Sequence, residues 1–95
     1  MKAKTILIVE DEDALRKMLT FNLERSGFQV RKARATTSAK AILNESIPDL
    51  ILLDWMLPGQ SGLELLREIR SDEVFKELPI ILLTAKAEED EKVTA

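Results

Sequence analysis

The chain has 95 residues, 45% of them hydrophobic, and a formal net charge of −3. That length makes one small domain with room for a modest core, and its acidic balance argues against free binding to nucleic acid or anionic membrane, which needs clustered positive charge. Neither cysteine nor histidine occurs, so disulfides, thiolate or imidazole metal sites and histidine acid–base catalysis within the chain are excluded.

The elements alternate strand and helix. "TILIV" at 5–9 is a continuous apolar, β-branched run, the pattern of a strand buried on both faces. Over 13–26, Leu15, Met18, Leu19 and Leu23 fall on one face of a helix that Asp11 or Asp13 would cap and Gly27 would stop. "FQVRKA" at 28–33 alternates and reads as a half-exposed edge strand; its basic residues Arg31 and Lys32, with Arg34, read as a solvated edge. Thr37 or Ser38 opens a short helix carrying Ala39, Ile42 and Leu43, and Pro48-Asp49 punctuates it. "LILL" at 50–53 is a second buried strand, ending on Asp54. Pro58-Gly59 and Gly62 make a loop, after which Leu63, Leu66 and Ile69 stripe a third helix to about Arg70. "PIILLT" at 79–84 is a third buried strand, and "AEEDEKV" at 87–93 has the look of the first turns of another helix.

Strands joined by helices of this length imply right-handed βαβ units, a parallel sheet and an α/β doubly wound fold. Ligands of such sheets sit beyond the carboxyl ends of the strands, where the strand order reverses. Those ends carry Glu10-Asp11, Asp54 and Thr84. Two like charges about 4 Å apart repel by about 4 kcal/mol at an effective dielectric near 20. A divalent cation would relieve that repulsion, and a few hard oxygen ligands with room for water suit Mg²⁺. Taken singly, each group has a plainer explanation. Glu10 to Asp13 reads as a solvated acidic run favoured by a helix N-terminus, and Asp54 and Thr84 as strand-end caps. Their joint placement on one edge favours the site. Trp55 either packs or forms a contact surface.

"ILIVEDED", "DLILLDWMLPGQSGLELL" and "PIILLTAK" together resemble the receiver domain of bacterial two-component response regulators over all 95 residues. "DWMLPG" is similar to the phosphate-regulon regulators of the winged-helix transcription-factor class. The resemblance implies a flavodoxin-like receiver fold with strand order 2-1-3-4. It also implies that Asp54 accepts a phosphoryl group from a histidine kinase, the donor histidine lying on another protein. Asp11, Asp54 and the backbone carbonyl of Met56 would ligate Mg²⁺, and Glu10 would hold metal-bound water. Thr84 would hydrogen-bond a phosphoryl oxygen and act in the switch, with the small Ala85 beside it. The protein would be a regulator and not a turnover enzyme, controlling transcription from the cytoplasm, with no membrane contact and no direct nucleic-acid binding by this domain.

Family receivers continue to a lysine-ended fifth strand and a fifth helix. Residues 1–95 are therefore expected to be the first four-fifths of a receiver, lacking the end of the fourth helix and those two elements. Lys86 and Lys92 are not at strand ends and are not assigned the lysine's role. An exposed sheet edge covered by self-association or a partner chain is expected. The alternative function is a receiver-like interaction module or fragment incompetent in phosphorylation. A dehalogenase-type hydrolase would want an acid at position 56, which is Met56, and a flavin module would want a glycine- and hydroxyl-rich loop where "EDEDA" stands.

Overall fold

A computed structural model describes residues 3–57 and 59–83. The elements are β1 (Thr5–Val9), α1 (Asp13–Arg25), β2 (Gln29–Ala33), α2 (Thr36–Glu45), β3 (Leu50–Asp54), α3 (Gly62–Arg70) and β4 (Ile80–Leu83). The expected Thr84 strand end, with Ala85, and the expected helix over 87–93, with Lys86 and Lys92, lie outside the described residues.

The four strands are parallel in the order β2-β1-β3-β4, as expected. Each connection carries a helix, and β1 pairs with β2 on one side and β3 on the other, so the order reverses at β1/β3. The apolar runs of β1 and β3 are buried on both faces because helices cover both. Leu7, Val9, Ile51 and Leu53 face Ala39, Leu43, Leu65 and Ile69 of α2 and α3. Ile6, Ile8 and Leu52 face the α1 side, where Leu19 and Leu23 pack. Each such side chain contributes about 1.5–3 kcal/mol by leaving water, which pins the register, since a one-residue slip would exchange the two faces. No helix of the described residues is long and apolar enough to cross a membrane.

Several local expectations are corrected. The N-cap of α1 is Glu12, and neither Asp11 nor Asp13 caps it. Met18 is 51% exposed and stands outside the stripe it was grouped with. Helix α2 begins one residue early, at Thr36, with the Ser38 hydroxyl donating to the Ala35 carbonyl at 3.0 Å. The buried stripe of α3 is Gly62, Leu65 and Ile69, and Leu63 and Leu66 flank it, half-buried. β2 is the expected edge strand, its Arg31 paired with Glu45 of α2 across 2.8 Å.

Candidate functional site

Glu10 and Asp11 follow the last residue of β1, and Asp54 is the last residue of β3. Val9 stands opposite Leu53 in the ladder, so the residues leaving the two strands next are Glu10 and Asp54. The parallel register thereby converts a separation of 44 positions into adjacency. One carboxylate oxygen from each of Glu10, Asp11 and Asp54 lies within 4.8 Å of the other two. Glu10 is 3% exposed and Asp54 5%, and Asp11 is open to solvent.

Hydrogen bonds fix the two buried acids. The Glu12 amide donates to Glu10 Oε2 at 3.0 Å, which turns the Glu10 carboxylate back onto its own loop. The Met56 amide donates to Asp54 Oδ1 at 3.3 Å. The Glu10 amide donates to the Ala33 carbonyl at 3.0 Å and the Trp55 amide to the Leu83 carbonyl at 2.9 Å, carrying the sheet's pairing past the strand ends on both sides of the site. Burial pushes both carboxyls above their ordinary values. For Glu10 the negative charges of Asp54, Asp11 and Glu12 add to it, against the Glu12 amide bond. For Asp54 the Asp11 charge adds to it, against the bond from the Met56 amide. The cluster therefore carries more negative charge than it can comfortably hold.

Its chemistry fits a small divalent cation. The donors are hard oxygens, two of them desolvated and mutually repelling, with solvent reaching the third. Mg²⁺ fits that set better than a soft metal, for which the chain has no thiolate or imidazole.

Two residues that position the site escaped the sequence reading. Gly62 opens α3 directly against the end of β3. Its amide donates to the Trp55 carbonyl at 2.8 Å, and a Cβ there would stand 2.1 Å from the Asp54 carbonyl oxygen. A signal for this start was present in Ser61-x-x-Glu64: the Ser61 hydroxyl accepts from the Glu64 amide at 3.1 Å, and Glu64 accepts from the Ser61 amide. Arg16 is the other; its Nη1 donates to the Glu10 carbonyl at 2.9 Å, a contact no local pattern announces. Trp55 and Met56 are both exposed beside Asp54, at 41% and 59%, so Trp55 packs in part and also presents surface. Asp49 lies at the opposite end of β3, accepting from the Thr5 amide at 2.7 Å.

A family model described as the response regulator receiver domain matches residues 6–95. The phosphate regulon transcriptional regulatory protein PhoB of Pseudomonas aeruginosa is 52% identical over 93 residues, covering 98% of this chain and 41% of that protein. PhoB of Escherichia coli is 46% identical over 91 residues, covering 96% of this chain and 40% of the relative. The chain thus spans about 40% of the length of these curated relatives. Among solved structures, a putative response regulator from Chloroflexus aurantiacus superposes with a TM-score of 0.88 at 35% identity, over 97% of this chain and 75% of that one. The chemotaxis response regulator CheY4 of Vibrio cholerae gives 0.84 at 26% identity, over 96% of this chain and 78% of that one.

Proposed function

The chain belongs to the response regulator receiver domain family, and we propose on that premise that it takes a phosphoryl group from a histidine kinase onto Asp54 and so controls an output. The observation that carries this reading is the convergence of Glu10, Asp11 and Asp54 where β1 and β3 end. In the step itself an Asp54 carboxylate oxygen forms a bond to phosphorus as the bond from phosphorus to the donor's imidazole nitrogen breaks. The imidazole leaves with its electron pair and takes up a proton. Asp11, Asp54 and the Met56 carbonyl would hold Mg²⁺, with Glu10 acting through water, and the cation would supply positive charge to the phosphoryl oxygens. This chain's own contribution is position: transfer of a phosphoryl group requires little of the protein beyond alignment and charge. The Met56 amide holds Asp54 Oδ1 in place, and Asp54 is 5% exposed at the strand end.

By the family resemblance Thr84, next in sequence after the last residue of β4, would hydrogen-bond the phosphoryl group and report it. The protein is a phosphoacceptor and not a turnover enzyme. Because the relatives in Pseudomonas and Escherichia are named as transcriptional regulatory proteins, the output we assign is transcription, exerted by segments other than this domain. β4 is one of the two edge strands among the described residues, so its free side is where a further strand, a second copy or a partner would pair.

The test is incorporation of phosphate from acetyl phosphate with Mg²⁺, read by intact mass and by its lability to acid. Asp54→Asn should abolish it and Asp49→Asn should leave it, since Asp49 sits at the far end of the strand. Labelling that survives Asp54→Asn would refute the assignment.

A further inference from the structure

We propose that Arg16 is the positioning residue of the cation site: its guanidinium ties the carbonyl of Glu10 to the first turn of α1 and so holds the corner that presents Asp11. The inference rests on reading the acidic cluster as a cation site.

Glu10, Asp11 and Glu12 form the short turn between β1 and α1, and its middle residue is the exposed ligand candidate. Exposed side chains on short turns are usually mobile, yet this turn is bracketed. Arg16 Nη1 donates to the Glu10 carbonyl at 2.9 Å, and Nη2 of the same side chain pairs with the Asp13 carboxylate. The Arg16 side chain is only 13% exposed, so the fork is packed into place before any ligand arrives. On the other side of the turn, the Glu12 amide bonds to Glu10 Oε2. The two peptide units that flank Asp11 are thus both tied down, at the Glu10 carbonyl and at the Glu12 amide.

Arginine suits this task because its planar fork offers two donors in fixed directions, one for a carbonyl and one for a carboxylate. Lysine would satisfy one at a time. One donor of the fork goes to the Glu10 carbonyl and the other to the Asp13 carboxylate, which is not one of the three clustered acids. Arg16 thus acts on the cluster through the main chain of the turn and takes up none of its carboxylates.

The chain has a single tryptophan, Trp55, beside Asp54, so its fluorescence reports Mg²⁺ at the cluster without ambiguity. Mg²⁺ titrations of the wild type, Arg16→Met, Arg16→Lys and Asp13→Asn are compared with metal-free melting curves. Arg16→Met should weaken Mg²⁺ binding by about tenfold, in the range seen when outer-shell partners of metal ligands are removed. Its metal-free Tm should fall by no more than about 4 °C. Arg16→Lys should recover part of the affinity, and Asp13→Asn, which spares the bond to Glu10, should change it less than about threefold. An Arg16→Met protein that binds Mg²⁺ like the wild type overturns the role of Arg16 and leaves the cation site standing. So does one whose lost affinity only tracks a collapsed metal-free Tm that Lys does not rescue. A wild type with no Mg²⁺ response overturns the reading of the cluster, and the role of Arg16 with it.

Discussion

Glu10 and Asp54 leave adjacent parallel strands side by side, nearly sealed from solvent, with carboxylate oxygens within 4.8 Å of each other. Two acids so placed cannot both ionise without cost, and both are pushed above their ordinary values of 4.5 and 3.8, first by burial. The folded state therefore binds protons that the unfolded chain has already released, in a window above those ordinary values. The stabilising effect of these groups is complete below the unfolded values and is lost as pH rises through the folded ones. Metal-free protein should accordingly melt lower as pH climbs from the ordinary carboxylate range toward neutrality. Asp13 and Glu68 are held low and slope the other way, but both are exposed and screened. Asp54→Asn should flatten the profile and raise metal-free stability near neutral pH by about 1 kcal/mol. Unaltered pH dependence in that variant would mean the strain is not at this pair.

Mg²⁺ should reverse the same penalty. At a hundredfold excess over its Kd, a ligand bound only by the folded state adds about 2.7 kcal/mol, so the wild type should melt several degrees higher with Mg²⁺ and change its Trp55 emission. Asp11→Asn should lose most of both responses while folding normally, since Asp11 is exposed and not part of the core. Equal responses from the variant and the wild type would remove Asp11 from the site.

The architecture and the acidic cluster were legible in the sequence for one reason: both follow from strands. Buried runs such as "TILIV" and "LILL" mark β1 and β3 directly, and the parallel βαβ rule brings their carboxyl ends together without any need for side-chain detail. What was not legible depends on helix phase and on backbone approach. Met18 falls near the apolar face of α1 in a helical projection, yet it is 51% exposed. The i, i+3 spacing of Leu63, Leu66 and Ile69 marks a helical stripe, whereas the residues α3 buries are Gly62, Leu65 and Ile69. Arg16 and Gly62 both act on main-chain atoms, a carbonyl of Glu10 and one of Asp54. A side chain's main-chain target is not named by any local pattern, and the glycine at 62 marks a close approach without saying to what.

Helix phase can be checked by truncation. Leu65 is 1% exposed within the cluster that holds Leu43, Leu53 and Ile69, and Leu63 is only half-buried. Leu65→Ala should cost about 3 kcal/mol or more in denaturant unfolding, within the range for a sealed leucine, and Leu63→Ala about 1 kcal/mol. A reversed order would put the phase of α3 wrong by a large fraction of a turn.

Gly62 provides the sharpest test of how the site is held. Alanine is the better helix former by about 1 kcal/mol, so propensity alone predicts that Gly62→Ala stabilises the protein. Contact predicts the opposite. The added Cβ would meet the Asp54 carbonyl oxygen at 2.1 Å, its carbon at 2.9 Å and the Trp55 Cα at 3.0 Å, and all three are backbone atoms that no rotamer change can move. Helix α3 would have to withdraw from the end of β3, stretching the 2.8 Å bond from the Gly62 amide to the Trp55 carbonyl. The expected outcome is a loss of about 2–4 kcal/mol, a shifted Trp55 emission maximum and weaker Mg²⁺ binding. Gly59→Ala is the control. Its φ of +86° makes a side chain strained, but nothing lies within 4 Å of the added carbon, so it should cost about 1 kcal/mol and leave Mg²⁺ affinity intact. A Gly62→Ala protein as stable as the wild type, with unchanged Mg²⁺ binding, would show that α3 does not seat on the backbone of Asp54.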